Sequence, residues 1–211
     1  MNVSERNSMR RKKEDALVTR ENILDAALTV FSRKGYALST LEDIAKEAKV
    51  TRGAIYWHFD NKVKIYASLV EERSNKAFAM FSEIINKKMS PTQKLRQLLI
   101  QPLLYIEKNV EYRAILELTT FKTEVTEDMI PFMQKKVENN RMLVEYFTKI
   151  VEEGRATGEI NWDVNPNVAA LSIIGFLNGT LLLWLTDETA FSPNKQAEII
   201  VDTFLRGLLP K

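Results

Sequence analysis

The chain has 211 residues, enough for one large domain or two small ones and for a core that needs no covalent staple. With no Cys and one His, it excludes disulfides, thiolate catalysis, Cys-ligated metals and a His-rich metal site, so neither a metal nor a cofactor is expected. The net charge of +2 is uneven: residues 1–64 carry 13 Lys/Arg against 9 Asp/Glu, which fits either a polyanion partner at that end or a merely solvated surface.

Met1–Arg20 is polar and lacks the apolar core of a secretory leader, which, with the absent Cys, points to the cytoplasm. The run Arg10-Arg11-Lys12-Lys13 is read as part of a basic flexible arm over 1–18. Thr19 can cap a helix whose stripe Ile23, Ala26, Ala27, Val30 and Phe31 ends at Gly35. Ser39 and Glu42 have capping-box spacing ahead of the apolar face Leu41, Ile44, Ala45, Ala48. After a tight turn at Lys49-Val50, Thr51 caps a short helix to about Phe59, and Asp60 or Asn61 opens a long one to about Lys88. Ser90-Pro91, Asn165-Pro166 and Ser192-Pro193 each place a capping side chain before Pro, where the missing N–H would be unpaired anyway. Helices are predicted near 91–107, 110–123, 127–156, 166–187 and 193–208, with a break marked by Gly154 and Gly158. No segment alternates with period two, so the fold class is all-α with about nine helices.

Residues 39–59, STLEDIAKEAKVTRGAIYWHF, read as two short helices joined by a tight turn, a helix-turn-helix whose second helix can enter a major groove about 12 Å wide. Gly53 and Ala54 let the backbone approach base edges. Arg52 can reach a guanine or a phosphate; Thr51, Tyr56 and His58 offer donors to phosphates; Lys62 lies in the first turn of the next helix, where free N–H groups also attract a phosphate. Trp57 and Phe59 read as core, and Tyr56 as either packing or phosphate contact. As a catalytic base His58 lacks a nucleophile or orienting partner, so no catalytic residue is assigned.

This stretch resembles the DNA-binding domain of the TetR family of bacterial repressors, in particular its AcrR-like, multidrug-responsive branch. The run TRGAIYWHFDNK (Thr51–Lys62) looks like that branch's recognition helix and the entry to its fourth helix, and TRENILDAALTVFSRKG (Thr19–Gly35) like the family's first helix. The length, the nine helices and the GFLNGTLLLWL run extend the resemblance over the whole chain. It implies a helix-turn-helix DNA-binding domain over 19–64 and a ligand-binding and dimerisation domain over 65–211. It places Thr51, Arg52, Gly53 and Tyr56 at base edges or the adjacent sugar-phosphate, and Thr40, Tyr56, His58 and Lys62 at phosphates. Two departures stand out: Lys49 occupies the turn position where the family usually has Gly, and Val63-Lys64 replaces acidic residues. Lys49 would then adopt a positive φ at a cost of about 1 kcal/mol.

Val164–Thr186 carries no charge and contains Gly175 and Gly179 in G-x-x-x-G spacing, formally a transmembrane candidate. Its Asn, Ser and Thr residues, and acidic flanks without a Lys/Arg bias, favour a buried helix of a protein with no membrane partner. In the resembled family the last two helices of each subunit form a four-helix dimer interface, here about 166–187 and 193–208. A dimer also suits reading of a palindromic operator in double-stranded DNA.

Residues 65–211 hold many aromatics and several Met, most of which read as core. The resemblance implies an effector pocket between helices four and eight, for which the candidates are Glu71, Phe78, Leu98, Leu116, Glu117, Thr120, Asn139, Leu143, Tyr146, Ile174, Leu177 and Asn178. The effector is a hydrophobic small molecule, cationic if Glu71 or Glu117 faces inward; the alternative for both is a solvated helix surface. The expected function is a ligand-responsive homodimeric repressor, of a transporter or efflux operon by the family's precedent. The alternatives are a small all-α enzyme and a constitutive DNA-binding protein.

Overall fold

The computed structural model describes residues 3–210, with the side chains of 3–13, 76–78, 80 and 81 outside the described set. Among the described residues there are nine α-helices and no strand: α1 Val3–Leu38, α2 Leu41–Ala48, α3 Arg52–His58, α4 Lys62–Asn86, α5 Pro91–Lys108, α6 Val110–Phe121, α7 Ile130–Ala156, α8 Pro166–Thr186 and α9 Pro193–Leu205. A single 3-10 turn, Glu127–Met129, precedes α7.

The chain divides into two compact units, 1–73 with 114–129, and 74–113 with 130–211. This departs from a division at 64/65, because the end of α6 and the 3-10 turn are tied to the N-terminal helices. The Tyr36 N–H donates to the Lys122 carbonyl at 2.9 Å, the Tyr36 hydroxyl to Asp128 at 3.3 Å, and the Tyr66 and Thr123 hydroxyls bond at 3.0 Å. Burial first, then the Asp128 charge, holds the Tyr36 phenol well above its usual range.

In the first unit the expected stripe of α1 is buried, with Ile23, Ala27, Val30 and Phe31 joined by Ile44, Ile55, Phe59, Ile65 and Leu69. Phe31, Tyr36 and Tyr66 pack ring against ring at 5.1–5.9 Å. The start of α1 differs from expectation. Thr19 is no cap: its hydroxyl donates to the Asp15 carbonyl at 2.9 Å inside a helix that begins at Val3, so residues 3–18 are helical instead of forming a flexible arm. Gly35, at φ 76° and ψ 166°, breaks α1 as foreseen. The capping box is shifted by one residue, to Thr40 and Asp43, because Ser39 turns inward and donates to the Tyr36 carbonyl at 2.7 Å. Asn61 opens α4 by accepting the Lys64 N–H at 2.9 Å. Buried Arg73 of α4 pairs with Glu21 and, at 2.6 Å, with Asp25 of α1.

In the second unit α5, α7, α8 and α9 pack together. Ser90 and Asn165 cap α5 and α8 as the sequence suggests. Ser192 makes no side-chain cap; Glu107 takes over by accepting the Asn194 N–H at 2.9 Å. Arg96 of α5 clamps α9 through Asp202 and Glu198 at 2.7 and 2.8 Å. By length and composition α8 could cross a membrane, with a mean hydropathy of 2.0. One side of it is nonetheless core, through Ala170, Ile173, Leu181 and Trp184. The other side exposes Val168, Leu171, Leu182 and Leu183, and a Cβ added at Gly175 or Gly179 would meet nothing within 4 Å.

Gly154 lies inside α7, not at its end, and packs against Ile160 after the chain turns back at Gly158. An added Cβ there would stand 2.6 Å from Ile160 Cδ1 and 2.8 Å from Cγ1. Gly154→Ala is therefore expected to destabilise by about 1–3 kcal/mol despite alanine's better helix propensity. Urea unfolding checks this; an unchanged or higher midpoint would show that the turn yields freely.

Candidate nucleic-acid interface

The turn between α2 and α3 closes on Lys49, at φ 56° and ψ 38°, the one non-glycine residue with positive φ among those described. Its N–H reaches the Ala45 and Lys46 carbonyls, and the Val50 N–H bonds Ala45 at 3.0 Å, so backbone bonds impose the left-handed conformation. The predicted strain is present, and Lys49 itself is exposed.

The seven residues of α3 are anchored by Ile55 and, at the cap, Phe59, both buried one helical turn apart. Thr51 caps the helix by accepting the Ala54 N–H at 3.1 Å. Arg52, Gly53 and Tyr56 are exposed, and Arg52 donates to the Tyr56 hydroxyl at 3.1 Å while lying 5.6 Å from the ring centroid. A Cβ at Gly53 would touch only Thr51 Oγ1, at 3.8 Å, so nothing inside the fold asks for glycine there.

Trp57 corrects the sequence reading. It is 69% exposed and projects from the helix instead of joining the core. Helical spacing carried the signal: with Ile55 and Phe59 inward, a residue two positions from each points away. Its ring meets the His58 imidazole edge-on at 4.5 Å. His58 is half-buried, and burial, followed by the nearby Arg20 charge, holds its pKa below the usual value. Arg20 was not singled out in the sequence. It forms two bonds to Glu72, at 2.8 and 2.5 Å, with its guanidinium 5.1 Å from the Phe59 ring centroid.

Thr40 is exposed, but its hydroxyl is engaged, accepting the Asp43 N–H at 3.1 Å and donating to the Asp43 carboxylate at 2.9 Å. The bond from Lys34, then those from Thr40, draw the Asp43 pKa down to about 2. Lys62 is held within the domain. Its ammonium donates to the carbonyls of Tyr36, Ala37 and Ser39 at 2.8, 3.3 and 2.9 Å and sits 4.3 Å from the Tyr36 ring centroid. In this arrangement the ammonium is engaged by carbonyls of its own domain.

The candidate effector residues fall into both units. Glu71, Leu116, Glu117 and Thr120 belong to the first; Glu71 and Thr120 are exposed, and Glu117 stands 3.7 Å from Lys122. In the second unit Leu98 is buried, Tyr146, Ile174 and Leu177 are half-buried, and Asn139, Leu143 and Asn178 are exposed. The hydroxyl of Tyr146 is buried without a hydrogen-bond partner. The side chain of Phe78 lies outside the described residues.

Replacing Lys62 by Met keeps the stem and removes three hydrogen bonds, for a loss of about 2 kcal/mol. The salt dependence of DNA binding by the folded variant should stay as in the wild type; a slope shallower by one phosphate would return Lys62 to the contact set. Gly53→Ala should fold with stability raised by up to about 1 kcal/mol. If a DNA backbone or base edge approaches this face, the same variant loses DNA affinity; undiminished affinity would show that Gly53 is not at the contact.

Residues 23–69 match the model of bacterial regulatory proteins of the TetR family, and residues 90–210 that of the C-terminal region of MAATS-type transcriptional repressors. The probable acrEF/envCD operon repressor of Escherichia coli strain K12 is 31% identical over 205 residues, covering 95% of this chain and 91% of that protein. The crystal structure of NalD, the secondary repressor of the MexAB-OprM multidrug efflux pump in Pseudomonas aeruginosa, matches with a TM-score of 0.81 at 26% identity, covering 93% of this chain and 98% of that one. SmeT, the repressor of the Stenotrophomonas maltophilia efflux pump SmeDEF, in complex with triclosan, shares the fold at 23% identity, with a TM-score of 0.78 over 92% and 93% of the two chains. On these matches, over nearly its whole length, the chain belongs to the TetR family of bacterial regulatory proteins.

Proposed function

We propose that this repressor acts in the cytoplasm as a homodimer on a palindromic operator controlling a transporter or efflux operon, and leaves it when a hydrophobic small molecule binds the second unit. The observation that carries the DNA-reading half is the outward side of α3. Arg52, Gly53, Tyr56 and Trp57 have no part in the buried core there, beside the cap residue Thr51. Arg52 and Thr51 would meet base edges, with Gly53 admitting the backbone, while Tyr56, Trp57 and His58 meet sugar and phosphate. Thr40 stays exposed at the start of α2, near the same backbone. Two-fold pairing is supported by the exposed apolar side of α8 and by Ile199 of α9, 64% exposed.

The effector site we favour lies among α5, α7 and α8 of the second unit, which pack on one another and carry Leu98, Tyr146, Ile174 and Leu177. An apolar wall with one unpaired hydroxyl suits a hydrophobic ligand that offers a single hydrogen bond. Support for a cationic effector is weaker, since Glu117 is near Lys122 and Glu71 is exposed. The triclosan in SmeT is an apolar phenol, and the E. coli relative and NalD are named for an operon and a pump. Residues 62–73 of α4 belong to the first unit and 74–86 to the second, so a ligand-dependent shift of this helix is the proposed route of coupling. The ligand acts only by its different affinities for the bound and free states.

Selection of duplexes from a random library by the purified protein, at about physiological salt, tests the reading. The expected product is a palindrome with half-sites one or two helical turns apart. Enrichment of no sequence would overturn it. On the selected duplex, apolar phenols such as triclosan are expected to displace the wild type, and Tyr146→Phe to weaken that displacement. Binding indifferent to every such compound would leave a constitutive DNA-binding protein.

A further inference from the structure

Only two buried side chains anchor the recognition helix, and one of them, Phe59, sits at its very end. What covers Phe59 therefore sets the angle at which α3 leaves the domain. The guanidinium of Arg20 lies 5.1 Å from the Phe59 ring centroid. Its plane is fixed by two bonds to one carboxylate, Glu72 of α4, at 2.8 and 2.5 Å. A single planar group thus joins α1, the end of α3 and α4. Arg20 also adds positive potential next to His58, the residue before Phe59.

We infer that Arg20 is a positioning residue for DNA reading: held flat by Glu72, it clamps Phe59 and fixes the end of the recognition helix, and with it the reach of Trp57 and His58. The inference rests on α3 being the reading helix. It differs from a direct phosphate contact, because the bidentate pair with Glu72 takes up two of the guanidinium's nitrogens. It also differs from a role in stability alone, since the clamp acts on the direction of a helix that is otherwise largely exposed.

Glu72→Gln separates these roles. The carboxamide weakens the hold on Arg20 and leaves its charge in place. For a positioning residue, the folded variant binds the library-selected duplex about tenfold more weakly, one specific contact's worth, with the salt slope of the wild type. If Arg20 touched a phosphate, freeing it would strengthen binding and steepen the slope; that result overturns the inference. Arg20→Lys keeps the charge without the plane and should lose the same affinity. In Arg20→Gln the His58 imidazole should titrate closer to its usual range by NMR, while in Arg20→Lys it stays where it is in the wild type. Variants that melt at lower temperature yet bind the duplex normally when folded would reduce Arg20 to a structural ion pair and overturn the proposal. A wild type that selects no sequence removes the reading of α3 itself, which is a different failure from normal binding by these variants.

Discussion

The first unit depends on one ammonium group. Where α1 breaks at Gly35, the chain must turn sharply into α2, and the carbonyls at the turn need donors from outside the helix ladder. Lys62, at the first position of α4, puts its three protons onto the carbonyls of residues 36, 37 and 39. A point charge on a flexible stem can satisfy three diverging acceptors where a planar guanidinium could not. Tyr36, whose ring lies under the same ammonium, then reaches Lys122 and Asp128 through its backbone and hydroxyl. The placement of α2, and through its turn of α3, follows from this knot.

Much of the fold was legible in the sequence. Caps before Pro91 and Pro166, the stripe of α1, the positive φ at Lys49 and the break at Gly35 are local events, set by residues a turn or less apart. What escaped was set at long range. The helix position of Lys62 shows only its openness to a phosphate; the carbonyls it bonds lie 23–26 residues earlier. Arg20 drew no notice because Glu72 is 52 residues away. The assignment of the end of α6 to the first unit has the same origin, since Tyr36 and Lys122 meet only in the fold.

The candidate interface shows a different kind of error. By residue type a large aromatic such as Trp57 reads as core, whereas the helical spacing sets it opposite Ile55 and Phe59. The candidate effector residues rest on resemblance, without a local signal, and they divide between two units and between buried and exposed positions. Tyr146 stands out among them through its unpaired hydroxyl, a property no sequence pattern displays.

The glycines of α8 carry a consequence for how variants of this protein are screened. A Cβ added at Gly175 or Gly179 would meet no neighbour within 4 Å, and both sit in the interior of a helix. Melting experiments on the isolated subunit will therefore rank alanine at these positions as an improvement, because the added Cβ meets nothing and helix propensity favours it. A sequence optimised for thermal resistance would discard both glycines first, and whatever surface they leave open would close while the measured midpoint rose.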